Sequence, residues 1–372
     1  RADWFPKNNA DRRPADSYDR QHWFDTVGEE CRHVAAHAGI LELTGFSRFH
    51  LKGDGAADWL ASLVTGNLPR VGRIGLVYFA SEKGKVLTEM SATRLAEDEI
   101  LLITGAGAYW HDRDLLNRYL PDTGDITLTD TTRDYATLLV TGPKSPAIIA
   151  AASGLSTAQA DFPWLSHQPC QIAGCAVAAI RVSFAGEAGW EIHCDMADVV
   201  AVYDAIMAAG APHQLGHFGM LALDSMRMEK GYRSWKSDLT SDYTMLESGL
   251  GRWVKFDKDD FVGRSALQAE HQAGSQSQFV MLTLDDPVDG NADPFGEAVY
   301  LSVVQCDGVD SGLVVSSGYG HRLDKSIAMA VVNTDKLASA SQITVTVLGR
   351  PRAAHLMPAH ALYDPKNEKL RG

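Results

Sequence analysis

Apolar residues recur along this chain with two periods, and the balance between them shifts near residue 278. Helical spacing predicts helices over 27–37, ending near Gly39, and over the run holding Ala57, Leu60, Ala61 and Val64. It predicts others over 109–119, stopped by Pro121, and from Pro143 and Ser145 to Gly154. Further helices follow Asp195, read as an N-cap with Gly210 as terminator, and span 218–230. Strand-like runs occupy 40–51 (ILELTGFSRFHL), 75–80, 86–95 (VLTEMSATRL), 99–104 and 135–141. In VLTEMSATRL, Val86, Thr88, Met90 and Ala92 share one face, and Leu87, Glu89 and Ser91 share the other. The stretch RVSFAGEAGWEIHC, 181–194, reads as two short strands joined by a Gly/Ala-rich turn. A hairpin tip of this kind can present an aromatic face and a carboxylate to one small, flat ligand.

Beyond 278 the chain breaks into short β-rich runs, FVMLTL, AVYLSVV, GLVVSS, SIAMAVV and QITVTVL, punctuated by Gly, Asp and Pro. That is the texture of a separate small β domain. KFDKDDFVGRSALQAEHQAGSQS forms the expected junction. The expected divisions are an N-terminal arm over 1–20, a mixed core over 21–272 and a β-barrel over 278–365. The fold class is therefore α+β, mixed first and all-β last.

Composition narrows the function classes. The chain has 372 residues, 45% hydrophobic and 22% charged, enough for two or three ordinary globular domains. A net charge of −13 offers no basic surface to track a nucleic-acid backbone. No apolar run approaches the roughly 18 to 20 residues that a bilayer span requires. The first residues, RADWFPKNNADRRP, contain no apolar signal region, and the initial Arg suggests a trimmed or longer parent chain. Five scattered cysteines without a CxxC suggest neither a disulfide framework nor zinc. The expected location is a reducing compartment, the cytoplasm or alternatively the mitochondrial matrix. His33 with His37, and His213 with His217, stand four apart but lack a third ligand, so no metal site is expected. No GxGxxG opening or GxSxG elbow appears, which argues against Rossmann-type FAD or NAD binding and a serine nucleophile.

Six stretches in order carry a resemblance: GKVLTEMSATRL, FAGEAGWEI, RMEKGYRSWKSDLT, FDKDDFVGRSAL, SSGYGHRLDKSIAMAVV and LGRPRAAHLMPAHALYDP. Together they resemble the aminomethyltransferase family, the T-protein of glycine cleavage. The likeness is greatest to the folate-binding C-terminal half of dimethylglycine and sarcosine dehydrogenases. RMEKGYRSWKSDLT and the early RADWFP and YDRQHWFDTVGEEC point to that dehydrogenase branch. The resemblance implies three lobes, two interleaved α/β lobes plus a C-terminal β-barrel, around a central channel for tetrahydrofolate. It implies capture of a carbon from an N-methyl amine as 5,10-methylenetetrahydrofolate, with any FAD on a separate oxidoreductase domain or subunit.

By the same resemblance, Glu191 reads the pterin ring, its carboxylate accepting two adjacent N–H groups in a fork. Phe184 stands where the family often has Tyr and packs against the ligand. Glu89 replaces the family's catalytic Asp, reaching one methylene further. Ser91 lines the same channel, and Thr104 and Gly105 end a strand near the pterin. Arg227 lies near the folate, or alternatively pairs with Asp224 or Glu229. Tyr232 and Trp235 both suit the aromatic flanking the aminobenzoyl group. Trp190 and Glu187 read as structural, the one core and the other paired with an Arg.

Two other readings compete. One is a stand-alone demethylase moving a methyl from a sulfonium or quaternary ammonium donor to give 5-methyltetrahydrofolate. The other is a folate-binding scaffold without turnover, disfavoured because EKGYRSWKSD lacks the Cys of the superfamily's iron–sulfur branch.

Overall fold

The two periods resolve into two sheets and a barrel in the structure, a computed structural model that describes residues 2–6, 21–285, 297–358 and 361–372. The first sheet has the spatial order Leu215–His217, Ala38–Glu42, Tyr135–Thr141, Gly189–Asp195, Cys175–Ile180, His167–Ile172. The second runs Ile74–Ala80, Val86–Ala96, Glu99–Thr104, Ser47–Gly53, Ile126–Asp130. The chain leaves the first sheet after Ala38–Glu42, builds the whole second sheet, and returns with Tyr135–Thr141. The two α/β lobes therefore interleave. A third lobe is a closed barrel of six strands, Ser277–Leu284, Lys325–Asn333, Val309–Gly320, Val303–Cys306, Ile343–Val347 and Arg350–Met357 in spatial order.

Alternation decides which side of each sheet is buried. Val86, Met90 and Ala92 are at most 1% exposed, and Met90 and Ala92 join Phe49, Leu51, Ile100, Leu102 and helix Ala56–Leu63 in one core. Leu87, Glu89 and Ser91 are half-buried on the other face. In the first sheet, Trp190, Ile192 and Cys194 are fully buried in a second core, with Ile148 and Ile149 from helix Ser145–Ser153. That helix has Pro in its first turn and ends at Gly154, whose left-handed φ of 73° suits glycine.

Several expectations need correction. The run 40–51 is two strands in two different sheets, because the chain turns at 43–46 and crosses between lobes. The first strand of the 181–194 hairpin ends at Ile180, leaving 181–188 as a broad loop. Asp195 makes no side-chain cap; a 3₁₀ turn, Met196–Asp198, precedes helix Val199–Gly210. AVYLSVV contributes only its last residues, as Val303–Cys306, while Val299, Tyr300 and Leu301 are exposed. The junction contains a helix, Arg264–Ala273, whose Leu267 is buried. Strand Arg350–Met357, which closes the barrel against Ser277–Leu284, has too weak an alternation to be read from sequence.

Of the arm expected over 1–20, residues 1 and 7–20 lie outside the described residues, as do 286–296 and 359–360 of the expected barrel domain. The described start has a definite role. The carbonyls of Ala2 and Asp3 accept the Met220 and Leu221 N–H groups at 3.0 Å, satisfying donors that helix Met220–Glu229 leaves open at its start. Glu30 holds the Gly219 N–H at 2.8 Å and the Phe5 N–H at 2.6 Å from the other side.

Trp190 lies directly beside Glu191 but on the core face. Trp190→Ala should therefore destabilise the chain by about 3–5 kcal/mol, read as a lower urea midpoint. A loss below about 1 kcal/mol would contradict its placement.

Candidate functional site

The face of the second sheet opposite its apolar core gathers the first group of side chains. Leu76, Ser91, Ile103 and Arg48 lie in one cross-strand row, and Tyr78 stands opposite Glu89 two residues along. Side chains in one such row share a face. Glu89, Ser91 and Arg48 thus look to the same side.

Thr104 has the opposite parity and is 3% exposed. Its hydroxyl donates to Asp112 at 2.6 Å and lies 3.3 Å from the Glu89 carbonyl. It steadies the Glu89 backbone rather than lining the site. At Gly105 an added Cβ would meet nothing within 4 Å, so the strand end opens onto space.

Glu89 is the most perturbed carboxylate of this group. Its carboxyl is pushed up to about 7, first by burial, which outweighs the Tyr78 hydrogen bond and the nearby Arg233 guanidinium. Asp238 adds like-charge repulsion. The Tyr78 hydroxyl, 2% exposed, is itself held well above its usual range by burial and by Glu89, so it remains a donor. A carboxyl in this setting holds or releases a proton close to neutrality.

The segment after helix Met220–Glu229 meets this face, where Trp235, Leu239 and Met245 pack with Tyr78. Arg227 is 2% exposed and is spent within the protein. It donates to Asp224 at 2.7 Å, to the Tyr232 carbonyl at 3.0 Å, to Ser316 at 3.1 Å and to Asp238. Of the two ion pairs expected for it, Asp224 is found; Asp238 takes the place of Glu229. Lys230 shares no partner with it, reaching instead the Asp364 carboxylate at 3.3 Å. Asp238 also accepts the Ser234 N–H at 2.8 Å, so Arg227 and Asp238 together shape the bend at 232–238. From that bend Tyr232 stacks on Phe184, ring centres 5.7 Å apart and planes 14° apart. Trp235 presents a buried indole N–H that makes no hydrogen bond, and the Nε of Arg233 is likewise buried without one.

Glu191 stands on the first sheet, on the face away from Trp190, with its side chain 25% exposed. Its Oε2 is 3.3 Å from Nε2 of His193, which is 2% exposed. Arg48, 6% exposed, donates to Nδ1 of the same ring and to Thr137 at 3.2 Å. Arg48 thereby ties the Glu89 sheet to the Glu191 sheet. Glu187, as expected, is structural: it accepts from Arg322 at 3.0 Å and from the Tyr363 hydroxyl at 2.6 Å.

The structure thus groups Glu89 and Ser91 on one face, with Thr104 behind them, and pairs Phe184 with Tyr232. It places Arg227 beneath the bend and Glu191 on the adjoining sheet. Sequence reasoning missed Tyr78, Arg48, His193, Arg233 and Asp238. Two of these carried a signal. His193 follows Glu191 at the strand period, and Arg48 is a lone cation inside an apolar run.

Burial of Glu89 has a stability consequence. Below about pH 4.5 the carboxyl is neutral in both folded and unfolded chains and costs nothing; between there and about 7 the unfolded chain ionises first. Glu89→Gln should therefore gain on the wild type as pH rises from 4.5 to 8, by about 1–3 kcal/mol in urea unfolding. A pH-independent difference would show that Glu89 is ordinarily solvated.

Among the described residues no group of His, Cys, Asp and Glu is placed to hold a metal, and no helix is long and apolar enough to cross a membrane. Comparison with known proteins gives a consistent picture. A family model described as the GCVT N-terminal domain matches residues 1–258, and the glycine cleavage T-protein C-terminal barrel domain matches 278–364. Human mitochondrial dimethylglycine dehydrogenase is 31% identical over 99% of this chain and 42% of its own length. Human mitochondrial sarcosine dehydrogenase is 30% identical over 94% of this chain and 39% of its own length. The chain therefore spans less than half of these dehydrogenases. An aminomethyltransferase of Geobacillus kaustophilus (strain HTA426) is 25% identical, with 90% of each chain covered. The crystal structure of glycine cleavage system aminomethyltransferase T from Bartonella henselae superposes with a TM-score of 0.78 at 21% identity, covering 93% of each chain, and shares the fold. With family models covering both the interleaved lobes and the barrel, the chain belongs to the glycine cleavage T-protein (GCVT) family.

Proposed function

We propose that this chain is a tetrahydrofolate-dependent one-carbon transferase. It captures a carbon unit from an N-methyl amine of the dimethylglycine or sarcosine type as 5,10-methylenetetrahydrofolate. The observation that carries this reading is the contrast between two half-buried carboxylates, Glu89 with its carboxyl pushed up to about 7 beside Tyr78, and Glu191 open at its tip beside His193. The first suits proton handling and the second suits recognition of adjacent N–H groups. Membership of the GCVT family and likeness to the two dehydrogenases support the substrate class.

The residues present fit a reduced folate. Glu191 is an acceptor for the pterin's paired donors, and the Phe184–Tyr232 stack offers an aromatic surface. The unmatched Trp235 indole N–H and Arg233 Nε are donors in need of acceptors, which a folate has in its carbonyl and glutamate groups. Bound tetrahydrofolate would supply two neighbouring amine nitrogens that accept carbon at the oxidation level of formaldehyde. The chain's own part is orientation, exclusion of water, and proton handling at the Glu89 carboxyl, to which Tyr78 donates. Oxidation of the amine falls to an FAD-dependent oxidoreductase domain or subunit. The five free cysteines suit a reducing compartment, cytoplasm or mitochondrial matrix.

Calorimetric titration with tetrahydrofolate should show saturable binding, weakened about tenfold or more in Glu191→Ala. No binding, or equal affinity in the variant, overturns the recognition role. Coupled to an oxidised methylamine donor, the folate product by mass spectrometry should be the methylene form. The 5-methyl form, made directly from a sulfonium or quaternary ammonium donor, would replace this reading with a stand-alone demethylase.

A further inference from the structure

Beneath Glu191 lies a buried polar chain that neither recognition nor catalysis has used. His193 is 2% exposed and shares the strand face of Glu191. Its Nδ1 receives Arg48 and lies 3.0 Å from the Thr137 hydroxyl. Arginine carries only donors, so the nitrogen facing it must be the ring's acceptor. That leaves the proton on Nε2. The Nε2 atom is buried and makes no aligned hydrogen bond, and Glu191 Oε2 stands 3.3 Å away. The neighbourhood opposes a charged ring as well, since burial and Arg48 both lower the His193 basicity while Glu191 alone raises it.

We propose that His193 is a positioning residue, locked by Arg48 and Thr137 as the neutral Nε2–H tautomer, whose N–H is within reach of one oxygen of Glu191 and engages it when a ligand orders that carboxylate. The inference rests on the recognition role given to Glu191 above. A carboxylate that takes this N–H at Oε2 on ligand binding loses rotational freedom about its last torsion. Its other lone pairs then face the site in one orientation, suited to a ligand with two adjacent N–H donors. Arg48 adds a second effect. Because it extends from the other sheet, the orientation of Glu191 is set relative to Glu89, Ser91 and the rest of that face. A ligand read by Glu191 is thereby placed in register with the proton-handling carboxyl.

The role separates from plain packing by geometry. Glutamine at 193 extends far enough to return a donor near the Nε2 position. Asparagine returns an acceptor near Nδ1 but has nothing to offer Glu191. In tetrahydrofolate calorimetry, His193→Ala and His193→Asn should each weaken binding about tenfold. His193→Gln should recover at least half of that loss on a logarithmic scale. Equal losses in all three variants, tracking their thermal stability, would reduce His193 to a structural residue.

The ligand-independent test is nitrogen NMR of the histidine-labelled wild-type chain. The His193 resonances, identified by their displacement in Thr137→Val, should report the Nε2–H tautomer at neutral pH. An Nδ1–H tautomer or an imidazolium overturns the proposal even if tetrahydrofolate binds. Failure of the wild type to bind tetrahydrofolate, with the tautomer as expected, counts against the folate reading instead.

Discussion

Arg322 is the constraint on which the arrangement of the lobes depends. It lies in the turn between barrel strands Val309–Gly320 and Lys325–Asn333, and its side chain is 3% exposed. It meets Glu229 at the end of helix Met220–Glu229 and Glu187 in the 181–188 loop. Its Nη2 also donates to the Met226 carbonyl at 2.8 Å. Tyr363 lies under the guanidinium at 3.8 Å and reaches Glu187 as well. One cation thus joins the barrel, the helix, the loop ahead of Glu191 and the C-terminal segment. Removing one member of a buried pair typically costs about 3–5 kcal/mol, whereas apolar replacement of the whole set is often neutral. What such a network contributes is a single relative placement of parts that apolar packing would allow to slide.

Arg227, two residues before Glu229 in helix Met220–Glu229, repeats the device. Asp238 and the Tyr232 carbonyl fix the bend, and Ser316 and Met329 join it to the barrel. The bend then brings Tyr232 to Phe184 and Arg233 to the surroundings of Glu89. The barrel is remote from either carboxylate in sequence, yet through Arg227 it helps set where the aromatic stack stands.

The two carboxylates show how one residue type serves two tasks. Glu89 has a tyrosine, a guanidinium and another carboxylate around it in a buried surrounding, which raises its proton affinity. Glu191 has a partly open side chain and a neutral histidine beside it. The extra methylene that separates Glu89 from an aspartate is accommodated on a strand whose backbone Thr104 and Asp112 hold from behind. Its reach is directed by Tyr78, in the neighbouring strand, rather than by its own length alone.

The alternation of VLTEMSATRL and of GWEIHCD was enough by itself to put Glu89 with Ser91, and Glu191 opposite Trp190. Period alone determines which face a strand residue occupies. The β-rich texture after 278 likewise announced a third lobe, and six ordered motifs announced the family. The sequence did not determine that ILELTGFSRFHL divides between two sheets, because both halves have ordinary strand periodicity. Nor did it determine that Arg227 is consumed inside the protein, or that Arg48 meets His193. Those pairings join residues separated by 11 to 145 positions, and local spacing carries no record of such partners. Burial decided them: a charge taken out of water has to find its counterpart wherever the fold delivers one, and only the tertiary structure states where that is.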